Sequence, residues 1–173
     1  RERPGFSLQA CHVHHGLNPK ADAWAEQCLQ VCARLQVYCM VERVTIELGM
    51  GESLEALARA ARYQALAKRL APGGALVTAH HEDDQLETLL LALKRGAGPR
   101  GLAAMPARQP FASSEVVGGE LLRPLLEVSR ATLAAWAAQE KLVWVEDDSN
   151  QDERFDRNFL RARILPLLRQ RWP

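Results

Sequence analysis

The sequence predicts an α/β fold in which a parallel sheet carries helices on both faces. Two observations support this prediction. Short runs of β-branched or apolar residues alternate with stretches of helical periodicity between residues 7 and 95. Residues that begin or end helices separate these segments, and repeated strand–helix–strand order produces parallel strands joined by right-handed crossovers.

The elements of the first half can be assigned in order. Strands are predicted over 7–13, 37–46 and 75–79, and helices over 21–35, 53–70 and 82–95. Ser53 is a helix-capping residue, and the Gly49-Met50-Gly51 segment ends the second strand. The run over 75–79 is apolar throughout, which is typical of a strand buried on both faces.

The second half is less regular. Residues 101–120 are rich in Pro, Gly, Ser and Ala, a composition that predicts a flexible surface loop. Leu121 and Leu122 predict a short strand, Ser129 caps a helix over 130–140, and 143–145 predict a final strand. We expect residues 1–173 to form a single domain, since this length suffices for one hydrophobic core.

Composition excludes several classes of protein. The net charge is +1 and aromatic residues make up 6%, which argues against a strongly basic nucleic-acid tail or a base-stacking surface. No apolar run approaches the ~20 residues that span a membrane, and no signal peptide is visible. The charge is nevertheless uneven, because six carboxylates within 146–156 are followed by five arginines within 157–173.

The four cysteines, at positions 11, 28, 32 and 39, form no Cys-x-x-Cys pair and predict reduced thiols. The segment Cys11-His12-Val13-His14-His15 is a candidate metal site. Strand alternation would send its ligands to opposite faces, so we expect no metal there.

The strongest candidate site follows the predicted strand 75–79, at the start of the next helix. Ligands of parallel sheets bind at the carboxyl ends of strands. Helical spacing places His80, Asp84 and Glu87 on one face, where they can hold a cation, orient an ammonium group or accept a proton. The structural alternative is an ordinary acid-rich first helical turn, which the helix dipole favours.

Two pairs of arginines are weaker candidates. Arg59 and Arg62 share a helix face and can bind a phosphate or carboxylate, unless they belong to a solvated face with Glu52 and Glu55. Arg157 and Arg161 lie one turn apart and can contact nucleic-acid phosphates, or else form salt bridges with the neighbouring acids. The glycine-rich segments match neither a P-loop nor Gly-x-Gly-x-x-Gly.

Several segments, taken in order, resemble the N-terminal catalytic domain of the tRNA(Ile)-lysidine synthetases, within the PP-loop ATP-pyrophosphatase superfamily. The resemblance covers nearly the whole chain and implies a Rossmann-like sheet of the adenine nucleotide alpha hydrolase type. The segments that carry it are His14-His15-Gly16-Leu17, Ala58-Arg59-Ala60-Ala61-Arg62-Tyr63, 79–88, Lys94-Arg95-Gly96-Ala97-Gly98, 122–126 with Ser129-Arg130, Val145-Glu146-Asp147-Asp148-Ser149-Asn150 and Arg157-Asn158-Phe159-Leu160-Arg161.

The resemblance implies a cytoplasmic ligase that uses ATP, with Mg²⁺, to adenylate the C2 oxygen of the wobble cytidine in tRNA(Ile) with a CAU anticodon. The ε-amine of free L-lysine then displaces AMP, and pyrophosphate is the other product. Asp84 and Glu87 would handle the amine, and His80 or His81 would assist proton transfer or hold the nucleotide. The remaining implied roles are cofactor binding by His14, His15, Arg59 and Arg62, catalysis also by Arg59 and Arg62, and tRNA binding by Arg95, Arg157, Asn158 and Arg161.

The sequence departs from the family pattern at its start. The family begins with a strand and a Ser-Gly-Gly-x-Asp-Ser loop around the ATP phosphates, and this sequence starts after that point. We therefore expect a truncated catalytic domain without the tRNA-binding C-terminal domains, inactive on its own and compatible with a homodimer in the whole enzyme. A tRNA thiolase, an amidotransferase-linked synthetase and a non-catalytic nucleotide- or RNA-binding module are the alternatives.

Overall fold

The computed structural model describes residues 5–46, 53–113 and 116–172, and the side chains of 112–117 are not among those described. Its strands and helices confirm the predicted α/β class with a parallel sheet. The Cα positions divide the chain into two compact units, one of residues 1–76 with 111–119 and one of residues 77–110 with 120–173. The predicted break at Gly49-Met50-Gly51 lies outside the described residues.

The first unit is built on two parallel strands and two helices, with bounds close to those predicted. They are β1 (Gln9–His14), α1 (Ala21–Arg34), β2 (Tyr38–Arg43) and α2 (Leu54–Ala67). The register pairs Gln9 with Tyr38 and His14 with Arg43, so both strands end at the same edge. Ser53 caps α2 by accepting the Ala56 N–H at 3.2 Å, as its position predicted. Buried alanines let α1 and α2 lie close to the strands.

The remaining elements begin with β3 (Ala75–Val77). They continue with α3 (Glu82–Lys94), α4 (Pro99–Leu102), β4 (Arg108–Ser113), β5 (Val116–Leu122), α5 (Arg130–Gln139), a 3₁₀ turn (Asp148–Gln151), α6 (Asp156–Phe159), a π-helical turn (Leu160–Ile164) and α7 (Leu165–Arg171). The strand order of the second sheet is β3-β5-β4. Ser129 caps α5 through the Thr132 N–H at 3.1 Å, as predicted. No helix in the described ranges is both long enough and apolar enough to cross a membrane.

The prediction of a flexible loop over 101–120 is wrong, because β4 and most of β5 lie there. Only two residues separate these hydrogen-bonded strands, so they pair as an antiparallel hairpin. Proline and glycine suggested a loop, but both fit the sheet. Pro110 lies on β4, which is an edge strand where a missing N–H is tolerated, and Gly118 has a positive φ of 73°.

Two further predictions about strands are wrong. Residues 143–145 form no strand although β-branched and aromatic residues favour one, because strand propensity depends on a neighbouring strand to pair with. The strand predicted over 75–79 is confirmed as β3, but it is shorter and not buried on both faces. Val77 is 54% exposed, because hydrophobicity alone cannot ensure that a strand is covered.

The core of the second unit is formed by leucines from several elements. Leu121 of β5 is 1% exposed and Leu165, at the start of α7, is 2% exposed. Leu91 of α3 and Leu126 are also buried. These side chains come from widely separated parts of the sequence, so removing one of them affects the packing of the whole unit.

We predict that Leu165→Ala destabilises the protein by about 2–5 kcal/mol, because it removes buried methyl groups and leaves a cavity. Leu167→Ala is the matched control, since Leu167 lies on the same helix and is 62% exposed. Denaturant unfolding followed by circular dichroism measures both. Equal stabilities of the two variants would contradict the packing described for α7.

Candidate functional sites at the strand ends

The predicted motif 79–88 lies where β3 leads into α3. Thr78 N–H donates to Leu122 O at 3.0 Å, and His81 forms a parallel bridge with Leu125. The Glu82 N–H, at the first residue of α3, donates to Val128 O at 3.0 Å. These backbone bonds hold the segment between strand and helix at the carboxyl end of β3, where ligands of α/β sheets bind.

His80, His81 and Asp84 form the partly buried end of this segment. Thr78 Oγ1 and His80 Nδ1 are 2.8 Å apart. The Asp84 carboxylate accepts the His81 N–H at 2.9 Å and lies 3.5 Å from His81 Nδ1. Asp84 thus caps α3, and its side chain remains 19% exposed. At 3.5 Å His81 Nδ1 makes no hydrogen bond to Asp84, and it has no other hydrogen-bond partner among the described residues.

Glu87 lies on α3 about one turn after Asp84, and its side chain is completely buried. Its two oxygens accept from two arginines, Arg157 Nη1 at 3.2 Å and Arg161 Nε at 2.9 Å. The sequence placed Glu87 on the same helix face as His80 and Asp84, but did not predict these partners. A buried carboxylate needs such compensation for its lost hydration.

Arg157 and Arg161 were predicted to contact tRNA, with salt bridges to the neighbouring acids as the alternative. The structure pairs both with Glu87 of α3, and their side chains are 32% and 28% exposed. Their contact with tRNA stays a prediction. Asn158 is buried and donates to Ser149 O at 2.8 Å and to Asp152 O at 3.0 Å. These two bonds stabilise the backbone conformation of residues 149–152. Arg95, the fourth predicted tRNA contact, is exposed at the end of α3.

Asp83 is a charged group that sequence reasoning missed. It is 4% exposed, accepts the Arg130 N–H at 3.0 Å and pairs with Arg169. Asp83 therefore ties the start of α5 and the end of α7 to α3. The spacing showed only that Asp83 faces away from Asp84, and no local signal identified partners so distant in the sequence.

The first unit contains the predicted cofactor-binding residues. His14 ends β1 and is buried, and His15 Nε2 accepts a hydrogen bond from Arg62 Nε at 3.4 Å. Burial lowers the pKa of His15, and the charge of Arg62 lowers it further, so the ring is neutral at pH 7. Its Nδ1 is buried with no hydrogen-bond partner among the described residues.

Arg59 and Arg62 do not form one clamp. The Arg59 guanidinium lies over the Tyr63 ring at 4.9 Å from the centroid. Tyr63 in turn packs against Phe111, with ring centroids 6.1 Å apart and ring planes tilted by 44°. Arg62 is directed to His15. Both arginines lie on exposed positions of α2, so each guanidinium is accessible to a phosphate group.

The cysteines carry free thiols, as expected. Cys28 Sγ lies 3.4 Å from His12 Nδ1. Burial, with a hydrogen bond to Cys32, raises the pKa of Cys39 to about 11, and burial also raises the pKa of Cys28 and of Cys11. Among the described residues, no three His, Cys, Asp or Glu side chains are arranged to hold a metal ion.

Comparison with known proteins extends the resemblance drawn from the motifs. The PP-loop domain family matches residues 1–168. Proteins named tRNA(Ile)-lysidine synthase from Salmonella dublin, Salmonella typhi and Salmonella typhimurium are each 58% identical over 100% of the chain. The chain spans 39% of the length of these relatives. The resemblance is therefore confirmed along the whole sequence.

We predict that Glu87→Gln lowers the free energy of unfolding by about 3–5 kcal/mol, because two partly buried arginines lose their countercharge. Denaturant unfolding measures the change. Glu82→Gln is the matched control, since this acid is exposed in the first turn of the same helix and should alter stability by less than ~0.5 kcal/mol. A Glu87→Gln variant as stable as the control would show that the ion pairs of Glu87 with Arg157 and Arg161 do not stabilise the fold.

Proposed function

Because the chain belongs to the PP-loop domain family, we propose that it supplies catalytic groups to an ATP-dependent ligase that joins lysine to the wobble cytidine of tRNA(Ile) with a CAU anticodon. The observation that carries this proposal is the 58% identity to named synthases over the entire chain. The naming of these relatives favours this function over a thiolase or a non-catalytic module. The proposal includes a cytoplasmic location and is compatible with a homodimer.

The proposed reaction has two steps. The C2 oxygen of cytidine attacks the α-phosphorus of ATP, and the bond from that phosphorus to pyrophosphate breaks. The ε-amine of lysine then attacks C2, and AMP leaves with the oxygen that had been activated. The first step requires positive groups around the phosphates, and the second requires the lysine ammonium to be held and deprotonated.

In this proposal the nucleotide is bound by His14, His15, Arg59 and Arg62. His15 Nε2 accepts from Arg62, so the proton of the neutral ring lies on Nδ1. A buried donor without a partner is costly, by about 1–3 kcal/mol, and an acceptor atom of the nucleotide would satisfy it. Arg59 and Arg62 would balance phosphate charge as it develops.

Mg²⁺ is proposed to enter with ATP. Its preferred ligands are oxygens in octahedral geometry, and it is commonly held by phosphates and only one or two carboxylates. When bound, the ion would neutralise charge on the phosphate oxygens.

The groups at the start of α3 are proposed to bind the lysine substrate and to accept the proton of its ammonium group. Asp84 is partly exposed, so it can bind the ammonium, and either His80 or His81 can take the proton. Glu87 is included in this proposal. Both of its oxygens are held by arginines, so binding the ammonium through Glu87 requires one arginine to release its oxygen.

The tRNA is proposed to contact Arg95, Arg157, Asn158 and Arg161. Arg95 is exposed and can pair with phosphate directly. About a third of each of the Arg157 and Arg161 side chains is exposed, so a phosphate can approach both while Glu87 remains bound. Asn158 is buried, so its proposed contribution is indirect. It stabilises the backbone of residues 149–152, which would contact the tRNA.

We predict that Asp84→Asn in the full-length enzyme reduces lysidine formation at least ~100-fold, because the neutral amide can neither attract the ammonium nor accept its proton. The amide oxygen can still accept the His81 N–H, so the helix cap and the melting temperature should change little. Lysine- and tRNA-dependent release of pyrophosphate measures the rate, with Glu82→Gln as control. An unchanged steady-state rate would leave Asp84 with a structural role only.

A further inference from the structure

A network of charged and polar groups lies where β1 and β2 end in the first unit. Because the parallel register places His14 beside Arg43, both residues reach Asp22 in the first turn of α1. Arg43 Nη2 donates to Asp22 Oδ1 at 2.6 Å, and His14 Nε2 lies 3.3 Å from the same oxygen. His14 is 7% exposed, whereas Asp22 is 75% exposed.

The hydrogen bonds of His14 determine its tautomer. The Gly16 N–H donates to His14 Nδ1 at 3.2 Å, so this nitrogen is an acceptor and carries no proton. The proton of the neutral ring therefore lies on Nε2, where the carboxylate of Asp22 can accept it. Arg43 Nη1 is 3.4 Å from Nε2, but two donors cannot bond to each other, which makes Asp22 the bridge between them.

We propose that Asp22 is a positioning residue, which acts through His14 on the turn that carries His15. Asp22 orients the His14 ring, the ring holds the Gly16 N–H, and this bond fixes the turn. Gly16 has a positive φ of 69°, a conformation that glycine adopts without strain. The backbone on both sides of His15 is thereby held, and with it the contact between His15 and Arg62.

This inference rests on the proposed function, because His15 and Arg62 are proposed to bind the nucleotide. Exposed ion pairs in general contribute little to stability, so Asp22 and Arg43 would matter little as a surface pair alone. A carboxylate that fixes the tautomer and orientation of a buried histidine has a larger effect, because it changes the affinity for the ligand that the histidine binds. Asp22 would then change the affinity for ATP more than the stability of the fold.

The experiment uses the full-length enzyme with ¹⁵N-labelled histidine and compares Asp22→Ala, Asp22→Asn and Glu26→Ala. Glu26 is the matched control, an exposed acid one turn along α1 that accepts from Gln30 at 3.0 Å. Two quantities are measured. The first is the protonated nitrogen of His14, from its ¹⁵N shifts, and the second is the KM for ATP with kcat in lysidine formation.

We expect Asp22→Ala to mix the two tautomers of His14 and to raise the KM for ATP about tenfold with little change in kcat. Asp22→Asn should keep most of the Nε2–H form, since the amide oxygen can accept the same bond, and Glu26→Ala should behave as wild type. An unchanged tautomer and KM in Asp22→Ala would overturn the proposal. A loss confined to the melting temperature would also overturn it, since Asp22 would then be structural only.

The NMR result is independent of lysidine formation. A wild-type enzyme that makes no lysidine would overturn the proposed function. If Asp22→Ala then also shifted the His14 tautomer, the positioning of the turn by Asp22 would stand. A normal wild-type activity with no effect of Asp22→Ala on tautomer or KM would overturn only the role of Asp22.

Discussion

The buried carboxylate of Glu87 constrains the second unit more than any other group described in it. Its side chain has no exposure to solvent, and its hydration is replaced by Arg157 and Arg161. A charge in this position is tolerated only while both partners remain in place. The C-terminal helical segment that carries the arginines must therefore stay against α3, and the start of α3, where Asp84 lies, is held in turn.

The same principle explains the uneven charge of the sequence. The arginines after residue 156 resemble a basic surface, but three of them pair with acids of α3, Arg157 and Arg161 with Glu87 and Arg169 with Asp83. The net charge of +1 averages over these pairs. Positive charge that is neutralised within the fold contributes less to nucleic-acid binding than the number of arginines suggests. Of the tRNA contacts proposed above, Arg95 lies at an exposed position.

Local chemistry explains which elements were predicted correctly. Ser53 and Ser129 cap their helices through backbone N–H groups three residues ahead, an interaction contained within one turn. The hairpin of β4 and β5 was missed because Pro110 and Gly118 are read locally as loop residues. An edge strand and a positive φ accommodate them, and both are properties of the sheet. The opposite error occurred at 143–145, where strand-forming residues form no strand.

The α/β class, the approximate bounds of α1, α2 and α3, and the placement of the motif 79–88 after a strand could be predicted from the sequence alone. These follow from periodicity and capping, which act over a few neighbouring residues. The pairing of charges, in contrast, depends on the tertiary structure. Arg157 and Arg161 lie 70 and 74 residues from Glu87, and His14 meets Arg43 only through the strand register. Ion pairs and tautomers depend on distances of a few ångströms between such side chains, and no local pattern encodes those distances.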